Sequence, residues 1–134
     1  MNIETHEVTF ADVEAILSAF DWTEEVKAEF LRTIVFSCPI YLSRFDGQVL
    51  SLTGLIPPTL LSDTAYLWFV NTPDLEAHKV AIGRAAKRLV ARMRSIYPRI
   101  VGHCLDDSSK RWLTTLGAGF IRQDGPHSFF EIIT

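Results

Sequence analysis

Apolar positions in the first third of the chain recur every three or four residues, which is the spacing of a helix face. Residues 6–10 alternate and predict a short strand before them. Two successive helices follow from two sets of apolar positions: Val13, Ile16, Leu17 and Phe20, then Val26, Phe30, Leu31, Ile34 and Val35. Asp21 or Thr23 is the expected N-cap of the second helix, and Pro39 prevents that helix from continuing.

From residue 40 onward the apolar positions alternate, which is the period of a strand. Asp46-Gly47 separates two such stretches and predicts a hairpin. Residues 65–70, AYLWFV, form a continuous apolar run typical of a strand at the centre of a sheet. Helical spacing then returns from about Leu75 or Lys79 to Ser95. One stripe of this third helix should face the sheet: Ile82, Ala86, Leu89, Met93 and Ile96.

The last third of the chain predicts a strand at 100–105, a short helix at 110–116 and a hairpin that turns at Asp124-Gly125. The whole order is β-α-α-β-β-β-α-β-α-β-β. It predicts a single α/β (α+β) domain over residues 1–134, with a mixed sheet of about seven strands and helices on both faces. The strands flanking the third helix should be parallel and joined by a right-handed crossover.

Composition narrows the function classes. Apolar residues make up 48% of the chain and the formal net charge is −3, which argues against a nucleic-acid binder. There is no apolar run long enough to span a membrane, no secretory signal and no cluster with metal-ligand spacing. The two cysteines, Cys38 and Cys104, favour free thiols in a reducing cytoplasm.

Charge is unevenly placed along the chain. Residues 1–37 carry eight acids against two bases, whereas residues 77–105 carry seven bases and no acid. The bases cluster in HKVAIGRAAKR, residues 78–88, where the third helix begins. A helix start with cations and a glycine is suited to phosphate oxygens, because its first amides have no partner within the helix. The same residues are also typical of a solvated basic helix face, and the loop alone leaves both interpretations open.

The element order and the residues at its two junctions resemble the GNAT superfamily of acyl-CoA N-acyltransferases. The positions of the family signature Gln/Arg-x-x-Gly-x-Gly/Ala correspond to His78, Ala81 and Gly83. Ile82 and Arg84 also fit the usual sequence of this loop. Ala81 replaces the first glycine of the signature, and His78 replaces the leading Gln or Arg.

The second junction carries the rest of that resemblance. Asp106 stands where the family has an Asn after its fifth strand, and residues 116–120, LGAGF, stand for Leu-Gly-Phe. The Tyr that many members use as a general acid falls at Leu113 and is therefore missing. Asp106 is also a candidate helix cap, which leaves two roles open for it.

A narrower resemblance covers residues 42–133. It is to the small GNAT-like proteins of short-tailed, T7-type bacteriophages, labelled internal virion proteins. The shared sequence segments include Trp68-Phe69-Val70, Tyr97-Pro98 and residues 111–120, RWLTTLGAGF. This resemblance implies a virion or host-protein partner, and a location in the host cytoplasm or the virion.

The superfamily resemblance implies acetyl-CoA as co-substrate and direct acetyl transfer to a primary amine, on a small molecule or a protein. The alternative is a non-catalytic GNAT-like phage protein. By the same resemblance, the strand end runs beside the pantetheine arm and the loop holds the pyrophosphate. The implied cofactor-binding residues are Phe69, Val70, Asn71, His78, Lys79, Ala81, Ile82, Gly83, Arg84 and Asp106.

Acetyl transfer needs a base and an acid, and the candidates are few: His103, His78 at the cofactor loop, and Glu24, Glu25 and Glu29 of the second helix. His103 lies on the predicted fifth strand, and Glu25 lies on the second helix, which borders the acceptor site in the family. A lone histidine on a strand is more often a structural residue than a base. Acidic residues on an early helix, such as Glu25, usually form a solvated face, and their alternative role is to recruit a cationic amine. A monomer or a homodimer is expected.

Overall fold

The computed structural model describes residues 3–58, 62–105 and 107–133. These residues form seven strands: β1 (Ile3–Val8), β2 (Ile40–Phe45), β3 (Gln48–Ile56), β4 (Thr64–Asn71), β5 (Arg99–Cys104), β6 (Gly119–Asp124) and β7 (His127–Ile133). They also form four α-helices: α1 (Phe10–Ile16), α2 (Glu24–Ile34), α3 (Lys79–Ile96) and α4 (Asp107–Thr115). Short 3-10 helices follow α1 at Leu17–Ala19 and precede α3 at Pro73–His78. No described helix has the length and apolar character needed to cross a membrane.

One mixed sheet contains all seven strands, in the order β1-β2-β3-β4-β5-β7-β6. Every neighbouring pair is antiparallel except β4 and β5, which are parallel and joined through α3. Both features confirm the mixed sheet and the parallel pair expected from the sequence. The hairpin expected at Asp46-Gly47 joins β2 to β3, with both turn residues at positive φ.

Helices cover both faces of the sheet and create two cores. On one face, α1 and α2 pack on β2 and β3 through Val13, Leu17 and Ile34. On the other, α3 and α4 pack on β4, β5 and β7 through Met93, Leu113 and their neighbours. Alternate residues of each strand supply the two cores, as in Tyr41 against Ile40 and Leu42.

Local details refine the sequence predictions. Thr23 is the N-cap of α2, and its Oγ1 accepts a hydrogen bond from the Val26 amide at 3.2 Å. Helix α3 begins at Lys79 rather than at Leu75. The last position of the predicted buried stripe was wrong, because Ile96 is 47% exposed. The buried residues of the helix are Ile82, Ala85, Ala86, Val90 and Met93.

The β4–β5 ladder is short. It pairs three residues on each strand, from Thr64 with Arg99 to Tyr66 with Val101. Beyond that point β4 continues beside β3 as far as Asn71, whereas β5 continues beside β7. Residues 67–71 of β4 therefore have a ladder partner on one side only, and the two parallel strands diverge.

Gly102 lies where this divergence begins. A Cβ at this position would lie 2.8 Å from the Leu67 carbonyl oxygen and 2.7 Å from the Phe130 ring. Both contacts are closer than side chains tolerate, so the glycine lets the β4 backbone and the Phe130 ring pack closely against β5. The close approach of β4 and β5 at the point where they begin to diverge therefore depends on the missing side chain of Gly102.

We expect Gly102→Ala to lower the free energy of unfolding by about 1–3 kcal/mol, the usual cost of overpacking a core. Urea denaturation followed by circular dichroism measures it. Gly119→Ala is the matched control, since a Cβ there meets nothing within 4 Å. Equal stability of the two variants would contradict the close approach at Gly102.

Candidate functional site

A cleft opens where β4 and β5 diverge. Its volume is about 640 Å³, and it lies between the end of β4, the start of α3 and one side of α4. Its lining residues are Phe69, Asn71, Thr72, Pro73, Leu75, Glu76, Lys79, Ile82, Ser109, Arg111, Trp112 and Thr115. The cleft combines charged residues from the 3-10 helix, α3 and α4 with apolar side chains from β4, α3 and α4.

Contacts at both ends hold the 3-10 helix that leads from β4 into α3. At its start the buried Thr72 donates through Oγ1 to the Val49 carbonyl at 2.8 Å, and its amide donates to the Leu50 carbonyl at 2.9 Å. At its end the His78 ring stacks on Phe45, with ring centroids 4.0 Å apart. Because β2 and β3 provide these partners, the segment before α3 is fixed to the sheet at both ends.

The first turn of α3 carries the charged end of the cleft. No side chain caps this helix, so its first amides are not satisfied by a capping group. Lys79 lines the cleft, and its Nζ lies 2.8 Å from Glu76 Oε2. Arg111 of α4 adds a second cation across the cleft. An anion that binds here competes with Glu76 for Lys79.

The structure brings together only part of the residue set expected from the sequence. Four of the expected cofactor-binding residues line the cleft: Phe69, Asn71, Lys79 and Ile82. The other described ones do not line it: Val70, His78, Ala81, Gly83 and Arg84. Asp106 lies outside the described residues. The assignment of all ten as cofactor ligands stays a prediction.

Two of those residues have a clear position near the cleft without lining it. Ala81 is half-buried in the first turn of α3, and Gly83 follows in the same helix. A Cβ at Gly83 would meet nothing within 4 Å. The protein itself therefore does not require a glycine at this position, and the space beside it is open.

Helix α4 provides cleft residues that sequence reasoning missed. Ser109 and Trp112 are three residues apart, and Arg111 and Thr115 are four apart, so each pair shares a helix face. The apolar pattern marked only the opposite face of this helix, where Leu113 is buried in the core. Leu113 is 1% exposed, so it supplies nothing to the cleft.

A second cavity of about 240 Å³ shares Phe69 and Ser109 with the cleft. It also contacts Tyr66, Trp68 and His103, which lie on the face of the sheet opposite α3. The cleft and the His103 cavity therefore adjoin at Phe69 and Ser109, beside the gap between β4 and β5.

His103 is held by aromatic neighbours from two strands. Its Nδ1 is hydrogen bonded to the Tyr66 hydroxyl. From β7 the His127 ring lies 5.1 Å away and the Phe129 ring 5.6 Å away, measured between centroids. Burial lowers the pKa of His103, and the nearby charge of His127 lowers it further. Both causes favour the neutral form of His103, whose Nδ1 is engaged by Tyr66.

Glu25 and Cys104 differ in their position relative to the two cavities. Glu25 is exposed in the first turn of α2 and lines neither cavity. The thiol of Cys104 borders the second cavity from a buried position. Within residues 3–58, 62–105 and 107–133, no group of three His, Cys, Asp or Glu side chains could hold a metal ion.

No family model matches the chain, and no curated protein matches it by sequence. Solved structures do match. The GNAT domain of PAT from S. lividans has 13% identity and a TM-score of 0.73, covering 98% of this chain and 90% of the neighbour. The chain has the GNAT acyltransferase fold.

Two further neighbours are named as acetyltransferases. The putative acetyltransferase yncA from Salmonella typhimurium was solved with acetyl-CoA; it has 12% identity and a TM-score of 0.69, covering 99% of this chain and 94% of the neighbour. The dodecameric spermidine N-acetyltransferase from Vibrio cholerae has 11% identity and a TM-score of 0.69, covering 98% and 94%. These structures establish the fold.

We expect His103 to titrate below the ordinary value of about 6.5 for histidine, because burial disfavours its charged form. His127→Gln should raise this pKa toward, but not to, the ordinary value, since burial is the larger cause. Histidine NMR shifts followed between pH 4 and 8 measure both. An unchanged His103 pKa in His127→Gln would contradict the coupling of the two rings.

Proposed function

We propose that the protein is an acetyl-CoA-dependent N-acetyltransferase of the GNAT superfamily that transfers the acetyl group directly to a primary amine. The observation that carries this proposal is the continuity of the site. A cleft with cations and a helix start at one end shares Phe69 and Ser109 with the cavity of a neutral histidine at the other. A long anionic thioester substrate needs both ends in one channel.

The residues of the cleft fit such a substrate. Lys79 and Arg111 provide charged donors for pyrophosphate oxygens. Phe69, Ile82 and Trp112 provide an apolar wall for the pantetheine arm. The unpaired side of β4 leaves backbone groups of residues 67–71 available for hydrogen bonds to the arm's amides.

His103 is the proposed general base. When bound, acetyl-CoA supplies an electrophilic thioester carbonyl, and the amine must first lose a proton to attack it. In the tautomer that carries its hydrogen on Nδ1, the neutral ring donates this hydrogen to the Tyr66 hydroxyl, and Nε2 accepts the proton of the amine. Tyr66 acts here as a positioning residue, because its hydrogen bond to Nδ1 fixes the orientation of the ring.

A non-catalytic role remains the second candidate. The replacement of the signature glycine by Ala81 favours it, and so does Phe36, which is 80% exposed beside Val35 at the end of α2. In this interpretation, which goes with the bacteriophage resemblance, the protein would be a virion component or would bind a host protein. Binding of acetyl-CoA to the isolated chain separates the two candidates.

Two substitutions in the cleft should change acetyl-CoA affinity in opposite directions. Lys79→Gln removes a cation and should weaken binding about tenfold, equivalent to about 1.4 kcal/mol. Glu76→Gln removes the carboxylate that competes for Lys79 and should strengthen binding. Isothermal titration with acetyl-CoA measures both effects.

Arg88→Gln is the matched control for this titration, since Arg88 is an exposed residue of α3 that does not line the cleft. Its affinity should equal that of the wild type. The cleft assignment fails if Lys79→Gln and Arg88→Gln bind equally well, or if the wild type does not bind acetyl-CoA at high micromolar concentration.

His103→Gln should lower kcat by about 100-fold or more, the usual contribution of a general base, while acetyl-CoA affinity is retained. Thiol release with a panel of primary amines measures the rate. The wild-type rate should fall as His103 becomes protonated, at a pH below the ordinary histidine pKa. The same assay on Glu25→Gln decides between these two sequence candidates; a loss with Glu25→Gln and none with His103→Gln would overturn our choice.

A further inference from the structure

A third cavity continues the channel onto the open face of the sheet. It has a volume of about 220 Å³ and contacts Tyr66, Val101, Ile121, Arg122 and Phe129. Tyr66 also lines the cavity of His103, so the two cavities share this residue. This face is where an acceptor would approach His103 from the side opposite the cleft.

Three side chains form a row across this face. In the sheet, His103 of β5 pairs with Phe129 of β7, and Phe129 pairs with Arg122 of β6. The His103 ring lies 5.6 Å from the Phe129 centroid, and the Arg122 guanidinium carbon lies 4.3 Å from the same centroid. Because both groups contact one ring, a short molecule can reach the imidazole and the guanidinium together.

Arg122 is the charged residue among the described lining residues of the third cavity. Among the described residues, no carboxylate lines either the His103 cavity or the third cavity. Arg122 stacks on Phe129 and forms no ion pair within the described chain. Arg99 on the same face differs, since Glu131 already neutralises it at 2.9 Å. Arg122 thus presents a guanidinium without an ion-pair partner among the described residues, one aromatic ring away from the proposed base.

We propose that the row His103–Phe129–Arg122 is the acceptor site, and that it takes a short primary amine that carries a carboxylate. The carboxylate pairs with Arg122 in the two-pronged geometry that guanidinium favours. Phe129 supports the carbon chain, and the amine lies at His103. This inference rests on the proposed acetyl transfer and names its substrate class.

The reaction releases one proton overall. The acceptor ammonium gives a proton to His103, and its nitrogen forms a bond to the acetyl carbonyl carbon. The carbon–sulfur bond breaks with its electron pair on sulfur. The nitrogen loses a second proton as the amide forms, and the thiolate takes up one proton from solvent. His103 then returns its proton to solvent.

Three five-carbon amines test the inference because they differ only at the far end: 5-aminopentanoate, n-pentylamine and cadaverine. Thiol release from acetyl-CoA gives kcat/KM for each. We expect 5-aminopentanoate to exceed n-pentylamine at least tenfold and cadaverine to be the poorest of the three. Arg122→Gln should bring the ratio of the first two close to one, whereas Arg88→Gln should keep it at the wild-type value.

The outcomes separate this inference from the proposed function. If acetyl-CoA binds but n-pentylamine or cadaverine is acetylated as well as 5-aminopentanoate, the inferred acceptor class is overturned and acetyl transfer stands. If acetyl-CoA binds and no amine of the series reacts, the inferred site is overturned as well. A wild-type ratio retained in Arg122→Gln also overturns it. Failure to bind acetyl-CoA overturns both.

Discussion

The site depends on the short ladder between β4 and β5. Parallel strands joined by a helical crossover would ordinarily stay paired along their length, which would close the gap beside which the cleft and the His103 cavity adjoin. Here three residue pairs hold the strands together, and the next residue of β5 is Gly102. Its missing side chain admits the Leu67 carbonyl and the Phe130 ring. Past this point each strand follows a different antiparallel partner, and the gap opens.

The charged end of the cleft depends on a different constraint. The 3-10 helix before α3 would be free to move if the chain simply left β4 at Asn71. Thr72 instead ties its start to β3, and the stack of His78 on Phe45 ties its end to β2. The start of α3 therefore keeps one position relative to the strand gap. His78, which the family resemblance suggested as a cofactor ligand, has a structural contact of its own.

The spacing of apolar residues and the identity of turn and cap residues were sufficient to predict most of the fold. The hairpin at Asp46-Gly47, the cap at Thr23 and the parallel β4–β5 pair are local or topological consequences of the sequence. The prediction for the end of the α3 stripe was wrong because the apolar periodicity continues to Ile96, which stays 47% exposed. Burial is set by where neighbouring elements end, which a single helix pattern does not contain.

The site was less predictable, since it depends on contacts between distant segments. His103 stood out as a titratable group on a strand, but its partner Tyr66 is 37 residues away, and only the sheet register brings them together. Arg111 and Trp112 belong to a helix whose apolar pattern marked the opposite face. The sequence does not distinguish Arg122 from other exposed cations on strands. Its contact with the Phe129 ring, which His103 also contacts, is visible only in the structure.

The central claim is that one channel runs from the start of α3 through the strand gap to His103. Amide NMR of the protein titrated with acetyl-CoA tests it most directly. We predict shifts concentrated at residues 67–82, at Ser109 and Trp112, and at His103. Shifts confined to the exposed basic face of α3, or none at millimolar acetyl-CoA, would contradict the account.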